Sequence, residues 1–254
     1  MSLALVHESY GDPLDVLQLR TVEQVPLPVN SLRLRVRCAS INPADINMLE
    51  GTYLVKPSLP CILGNEGVAE VVEVGDDVPG FSVGDRVICP FQDETHWVGF
   101  WQEECVIEVD RCMRVPTHLS DEQVAMLTIN PITAFCLLSQ FGDLNQGDWI
   151  IQNLANSGVG RWVIFLAQKM GFKTVNMVRK ASQVDDLLSL GADVVMVEKD
   201  RFSSELSQKG QCALALNGVG GDSAKEIAKC LKPKGVSVTY GAMGRQPITL
   251  GNAL

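Results

Sequence analysis

Asp148-Trp149-Ile150-Ile151-Gln152-Asn153-Leu154-Ala155-Asn156-Ser157-Gly158-Val159-Gly160 decides the fold of this chain. The stretch opens as an apolar run of strand length and breaks into small residues. It continues as Arg161-Trp162-Val163-Ile164-Phe165-Leu166-Ala167-Gln168-Lys169-Met170, which reads as a helix with one apolar face. A strand feeding a tight turn and then a helix is the geometry that holds a pyrophosphate. Amide N–H groups at the helix start point at the anion, and the helix dipole favours negative charge there. Aligned on its last glycine, the dinucleotide fingerprint G-x-G-x-x-G falls on Ala155-Asn156-Ser157-Gly158-Val159-Gly160. Only the third glycine stands; Ala155 and Ser157 replace the first two, and small residues still permit close backbone approach.

Regular alternation of strands and helices fills the chain beyond Met170. Strands are expected at Lys173–Val178, Asp193–Val197, Cys212–Asn217 and Gly235–Tyr240, with helices at Ser182–Leu190, weakly at 201–208, and at Asp222–Leu231. The pattern predicts a doubly wound parallel sheet whose ligands sit at the carboxyl ends of its strands. The order 3-2-1-4-5-6 calls for a sixth strand, and the chain stops soon after the fifth. The expectation is therefore an incomplete sheet, from a truncated chain or one that completes itself by association.

Working back, residues 1–120 read as β-rich. Leu32–Cys38 alternates apolar and basic residues, Gly67–Gly75 is a second strand, and Gly80–Ile88 is a turn entering a third. Short strands punctuated by Gly, Pro and Asp predict a compact, barrel-like β domain. At Ser120-Asp121-Glu122-Gln123 a capping residue with Gln at the box position marks a helix start, so the second domain is placed at 121–254. Asn130-Pro131 then ends, kinks or restarts that helix.

Composition sets limits. The 254 residues suffice for two domains, and 46% hydrophobic with 20% charged residues is ordinary globular make-up. A net charge of −9 argues against nucleic acid or an anionic membrane as the main partner. No stretch approaches the roughly 18 apolar residues of a membrane span. Met1–His7 looks like a first strand and has neither a basic n-region nor an Arg-rich presequence. The expectation is a cytosolic protein, or one whose targeting segment has been removed. The eight cysteines include no C-x-x-C pair and are expected to be reduced, mostly buried hydrophobes.

Taken together, Ile41-Asn42-Pro43-Ala44-Asp45-Ile46-Asn47, Glu50-Gly51-Thr52-Tyr53, Gly64-Asn65-Glu66-Gly67, Asn130-Pro131-Ile132-Thr133-Ala134, Ile151–Gly160 and Val238-Thr239-Tyr240-Gly241-Ala242-Met243 resemble the medium-chain dehydrogenase/reductase superfamily. Within it the chain is most similar to the mitochondrial trans-2-enoyl-thioester reductases of fatty acid synthesis, over essentially its whole length. The resemblance implies an α/β architecture: a GroES-like β-barrel domain, then a Rossmann domain that in relatives runs several dozen residues further. It also implies a homodimer paired through the dinucleotide domain, which this chain alone is expected to form poorly, and a mitochondrial location, with the cytoplasm as alternative.

The implied reaction is hydride transfer to the carbon β to a thioester carbonyl and proton transfer to the α carbon, with enoyl-CoA or enoyl-ACP as substrate. The proton donor of the resembled family maps to Tyr53; a phenol keeps its proton at neutral pH and can release it to a carbanion. Otherwise Tyr53 is a loop aromatic half-packed near Lys56 and Pro57. Asn130 maps to a residue near the nicotinamide, a role that coexists with capping before Pro131. Trp101 maps to a tryptophan near the active site, and core packing or a lid serves equally well. The zinc-dependent branch places Cys and His ligands where this chain has Asn42 and Asn65. Amides are poor zinc ligands, and with His7, His96 and His118 as the only histidines no metal is expected.

The coenzyme contacts are expected at Asn156, Ser157, Gly158 and Val159 on the glycine turn. After the second strand, where NAD enzymes hold an acidic residue about 20 residues past the turn, the chain has Arg179-Lys180-Ala181. A basic pair there can clasp a 2′-phosphate, which selects NADPH, or is simply solvated at a strand end. Tyr240-Gly241-Ala242-Met243, at the end of the fifth strand, lines the same cleft by its position in the fold, or is a plain strand-to-loop turn. Two alternatives stand beside this assignment: an NADPH:quinone oxidoreductase on the same scaffold, which needs no tyrosine acid, and a non-catalytic NADPH-binding protein.

Overall fold

Apolar alternation and glycine-marked turns build the first of two units, Met1–Ile129, and strand–helix alternation builds the second, Asn130–Leu254. The structure, a computed structural model, describes residues 1–90 and 97–249; His96 and the chain end at 250–254 lie outside the described residues.

In the first unit the strands are β1 (Ser2–His7), β2 (Leu17–Val22), β3 (Ser31–Ala39), β4 (Cys61–Ile62), β5 (Gly67–Val74), β6 (Arg86–Ile88), β7 (Glu104–Glu108) and β8 (Met113–Arg114). Its helices are α1 (Pro13–Val16), α2 (Pro43–Leu49) and α3 (Asp121–Val124). The strands form two antiparallel sheets, ordered β2-β1-β4 and β7-β3-β5-β6-β8. The sequence pattern predicts one barrel; among the described residues the strands make two separate sheets. Alternation along β3 turns Leu32 and Leu34 inward against Val71, Val87 and Ile107, and sends Arg33 and Arg35 outward to Glu73 and Glu104. The Ser120 capping box forms as its spacing predicts, with Gln123 N donating to Ser120 Oγ and Ser120 N to Gln123 Oε1. Helix α3 belongs to this unit, because Val124 and Ala125 pack on Val68 and Ile88.

The second unit contains α4 (Asn130–Ser139), β9 (Trp149–Gln152), α5 (Gly158–Met170), β10 (Lys173–Val178), α6 (Val184–Ser189), β11 (Val194–Val197), β12 (Cys212–Asn217), α7 (Gly221–Ala228) and β13 (Leu231–Thr239). All five strands are parallel, in the order β11-β10-β9-β12-β13. In order of appearance within the unit that is 3-2-1-4-5, a doubly wound sheet. The central strands are apolar on both faces. Ile151, Val175 and Ala215 pack on one side against Phe202 and Ile227; Ile150, Leu214 and Leu216 pack on the other against Val163 and Leu137. Pro131 starts α4 rather than interrupting a longer helix.

Two expectations fail locally. The helix expected at 201–208 is a single 3₁₀ turn, Phe202–Ser204, with Arg201 in the left-handed region before it. The helix expected at 222–231 stops at Ala228, and Leu231 already begins β13. Pro233 explains the second. It would lack an N–H and clash inside a helix, whereas an edge strand tolerates it.

Six of the eight cysteines are buried, Cys38 is half-buried and Cys136 exposed, and all are free. Burial pushes the Cys61, Cys105 and Cys212 thiols up to about 12, which leaves them protonated and inert at neutral pH. No helix among the described residues is long and apolar enough to cross a membrane.

Candidate functional site

The turn between β9 and α5 is built by backbone hydrogen bonds and one capping side chain. Leu154 takes a left-handed conformation, φ 56°. Its carbonyl accepts Ser157 N at 2.9 Å, and Ala155 N reaches across to Met177 O at 3.2 Å. Ser157 caps α5, accepting from Gly160 N at 3.1 Å, and the chain enters the helix with no acidic residue in its first turn. Gly158 is exposed and Asn156, Ser157 and Val159 are half-buried. The retained glycine has a steric cause: a Cβ on Gly160 would lie 2.5 Å from Ala155 O. Gly158 is constrained differently, since a Cβ there would lie 2.8 Å from Asn130 Cγ. Asn130, at the start of α4, therefore rests directly on the turn.

These contacts predict two separable results. Gly160→Ala collides with backbone and is expected to lower stability by about 1–3 kcal/mol in a denaturant titration, the usual cost of overpacking. Gly158→Ala meets the Asn130 side chain rather than backbone. It is expected to leave stability nearly unchanged and to weaken coenzyme binding in a fluorescence titration.

Beneath the turn lies a network that the sequence pattern does not announce. Asn153 Nδ2 donates to Asn217 Oδ1 at 2.8 Å and to Ser223 Oγ at 2.9 Å, while its Oδ1 accepts Gly218 N at 2.7 Å. Asn217 Oδ1 also accepts Val219 N and Gly220 N, and its Nδ2 donates to Thr239 Oγ1. Gln152 Nε2 bridges Gly160 O and Asn176 Oδ1 at 2.9 and 2.7 Å. Four wholly buried amides thus tie the carboxyl ends of β9 and β12 to each other and to the middle of β10, and fix the loop after β12. A polar residue closing an otherwise apolar parallel strand is the signal that could have found Gln152, Asn153 and Asn217; Asn176, inside β10, gives none.

Tyr240-Gly241-Ala242-Met243 lies along that loop. Tyr240 N donates to Asn217 O, Met243 N to Gly218 O and Gly244 N to Val219 O, at 2.8–2.9 Å. A Cβ on Gly218 would touch both Tyr240 Oη and Leu154 Cδ2, so Tyr240 reaches over the start of the turn. Burial pushes its phenol up to about 12. The Ser157 hydroxyl lies near enough to oppose that rise, but no well-aligned hydrogen bond reaches Tyr240 Oη. Helix-start amides and glycines where a Cβ would clash are what a dinucleotide requires of a protein surface. Arg179 and Lys180 follow β10 directly, both exposed, and Ala181 begins a short 3₁₀ turn. The second unit therefore gathers Asn130, the 154–159 turn, Gly218 and Tyr240, with the basic pair starting one residue beyond Val178.

Tyr53 and Trp101 belong to the first unit. Tyr53 is 37% exposed and follows α2, its N–H and that of Thr52 both donating to Asn47 O at 3.2 and 2.9 Å. Trp101 is half-buried among Met48, Leu49 and Leu63, with its indole N–H on Ser40 O at 3.0 Å. Asn42 and Asn65 are engaged by carboxylates. Asn42 Nδ2 donates to Glu66 Oε1 at 3.0 Å and Asn65 Nδ2 to Asp45 Oδ1 at 2.6 Å. Among the described residues no three His, Cys, Asp or Glu side chains are arranged to hold a metal ion.

Comparison with known proteins finds the alcohol dehydrogenase GroES-like domain over residues 29–117 and the domain described as zinc-binding dehydrogenase over 158–253. The mitochondrial enoyl-[acyl-carrier-protein] reductase of Rattus norvegicus is 39% identical over 254 residues, an alignment covering 97% of this chain and 67% of that protein. Among solved structures, the complex of Etr1p, a Candida tropicalis enoyl thioester reductase, with NADP and crotonyl-CoA matches with a TM-score of 0.88 at 28% identity. That match covers all of this chain and 78% of the other. A quinone oxidoreductase of Pseudomonas syringae matches with a TM-score of 0.86 at 26% identity, over 99% of this chain and 77% of that one.

Proposed function

The chain belongs to the enoyl-thioester reductase branch of the medium-chain dehydrogenase/reductase superfamily, and from that premise we propose that it reduces trans-2-enoyl thioesters of CoA or acyl-carrier protein, using NADPH. The observation that carries the reading is the capped turn 154–160 with Asn130 seated on Gly158, in a chain whose relatives bear that activity in their names.

Asn156, Ser157, Gly158 and Val159 would hold the diphosphate, Arg179, Lys180 and Ala181 the 2′-phosphate end, and Asn130 with Tyr240–Met243 the nicotinamide half. When bound, the coenzyme supplies the hydride for the β carbon. The chain's own residues do the rest: they orient the coenzyme on a rigid backbone turn, and Tyr53 carries at Oη the proton destined for the α carbon. Trp101 is assigned to the wall of the substrate site. The GroES-like unit is read as a barrel, and the catalytic domain as residues 1–120, with α3 packed on it as the start of the connection to the nucleotide-binding domain. Mitochondrial location is inferred from the relatives' names; homodimer formation is carried over from the family, and this chain by itself is read as dimerising poorly.

The test is NADPH consumption with crotonyl-CoA, with butyryl-CoA measured as product, against a parallel assay with a quinone. Butyryl-CoA formed mole for mole with NADPH consumed is the expected result. Turnover of quinone but of no enoyl thioester would transfer the chain to the oxidoreductases represented by the Pseudomonas syringae structure. Coenzyme binding without either turnover would make it a binding protein.

A further inference from the structure

The helix that leads into the Tyr53 loop carries a buried acid in its first turn. Asp45 is wholly buried, with 0% of its surface exposed. Its carboxylate accepts three hydrogen bonds: from Asn42 N at 2.7 Å, Asn65 N at 3.0 Å and Asn65 Nδ2 at 2.6 Å. All three donors are neutral amides. A buried carboxylate is costly even when fully hydrogen-bonded, and helix capping alone needs only the Asn42 bond. The remaining two bonds pin α2 to the turn at Gly64-Asn65. That turn is itself closely packed: Gly64 has φ 103°, and a Cβ there would lie 2.7 Å from Trp101 N.

The other end of α2 carries the Tyr53 loop. Asn47 O, inside the helix, accepts Thr52 N, Thr52 Oγ1 and Tyr53 N. Gly51 turns the chain at φ 71°, with the Tyr10 ring packed against it, 2.9 Å from where a Cβ would stand. Met48 and Leu49 fix the rotation of the helix by burial against Cys61 and Leu63. Asp45 and Tyr53 are thus the two ends of one short strut, tied down by hydrogen bonds at both ends and by packing between them.

We propose that Asp45 is a positioning residue for proton transfer: through α2 and Asn47 O it sets where the Tyr53 hydroxyl stands. The proposal rests on the assignment of Tyr53 as the proton donor. Its physical basis is that proton transfer is steep in distance, so that about 1 Å of misplacement can cost on the order of 10²-fold in rate.

The test is a double-mutant cycle of Asp45→Asn with Tyr53→Phe on crotonyl-CoA, with Asn65→Ser as a milder second variant. Asp45→Asn points an amide donor at one of three donors. Asn65→Ser removes only the side-chain bond and spares the fold if the first variant does not survive. Val87→Ala, in the core of the larger antiparallel sheet, serves as the purely destabilising control. The expected result is a fall in kcat of about tenfold or more for Asp45→Asn and a smaller one for Asn65→Ser, with the KM for NADPH unchanged and no loss in the control. In the Tyr53→Phe background the Asp45 substitution should cost nothing further. Multiplicative losses, or wild-type kcat in both Asp45→Asn and Asn65→Ser, overturn the proposal. Full activity in Tyr53→Phe alone overturns the proton-donor assignment instead, and is read from that single variant.

Discussion

Tyr53→Phe is expected to slow the reduction of crotonyl-CoA by about 10²–10⁴-fold, the range contributed by a positioned general acid. The substitution deletes one oxygen at a side chain that is 37% exposed, so the melting temperature should hardly move. Binding of NADPH should be untouched, because every residue assigned to the coenzyme lies beyond residue 129. The decisive comparison is with quinone reduction, in which the proton goes to an oxygen that water can serve and no carbanion has to be protonated. A variant that loses crotonyl-CoA turnover and keeps any quinone turnover marks Tyr53 as the proton source. Equal loss on both marks it as a binding or packing residue. A solvent isotope effect on kcat supplies a second readout, since it should change when water must replace the phenol as donor.

Arg179→Ala combined with Lys180→Ala is expected to raise the dissociation constant for NADPH by roughly 10²-fold while leaving that for NADH near its wild-type value. Two charge-assisted hydrogen bonds to a phosphate are worth on the order of 3 kcal/mol after discounting for exposure of both side chains. The difference between the coenzymes isolates that term, because they differ only in the 2′-phosphate. Salt gives an independent check: wild-type affinity for NADPH should fall as ionic strength rises, and the double variant's should fall far less. Parallel weakening of NADPH and NADH would mean that the pair supports the strand end rather than the phosphate.

Much of the nucleotide-binding unit is legible in the sequence because its signals are local. Lys173–Val178 and Cys212–Asn217 coincide with β10 and β12 to the residue, since buried parallel strands are short apolar runs bounded by polar residues. Ser157 announces the start of α5 and Gly171, at φ 79°, its end. The errors fall where a local signal has two meanings. Cys230-Leu231 continues the apolar face of α7 as well as it opens β13, and only Pro233 two residues later decides between them. The separation of the β-rich unit into two sheets depends on which strands pair, and periodicity does not encode pairing.

The polar interior is the least legible part. Asn153 and Asn217 are 64 residues apart, and Asn42 and Glu66 are 24 apart; nothing in the spacing joins them. Glu66 illustrates the point. Its buried carboxylate accepts from Ser40 Oγ, Asn42 Nδ2, Thr128 N, Thr128 Oγ1 and Ile129 N. In the sequence it is one acidic residue in a glycine turn. Burial of a charge is a property of tertiary structure, and a single residue type cannot signal it.

Gln152, Asn153, Asn176, Asn217, Ser223 and Thr239 hold the coenzyme platform with carboxamides and alcohols alone. None of these groups gains or loses a proton between about pH 4 and pH 9. The scaffold should consequently keep one electrical state from acid to mildly alkaline buffers. A bend near pH 6 in a plot of coenzyme affinity against acidity is then expected to trace to the nucleotide, whose monoester phosphate titrates there, and not to these six side chains.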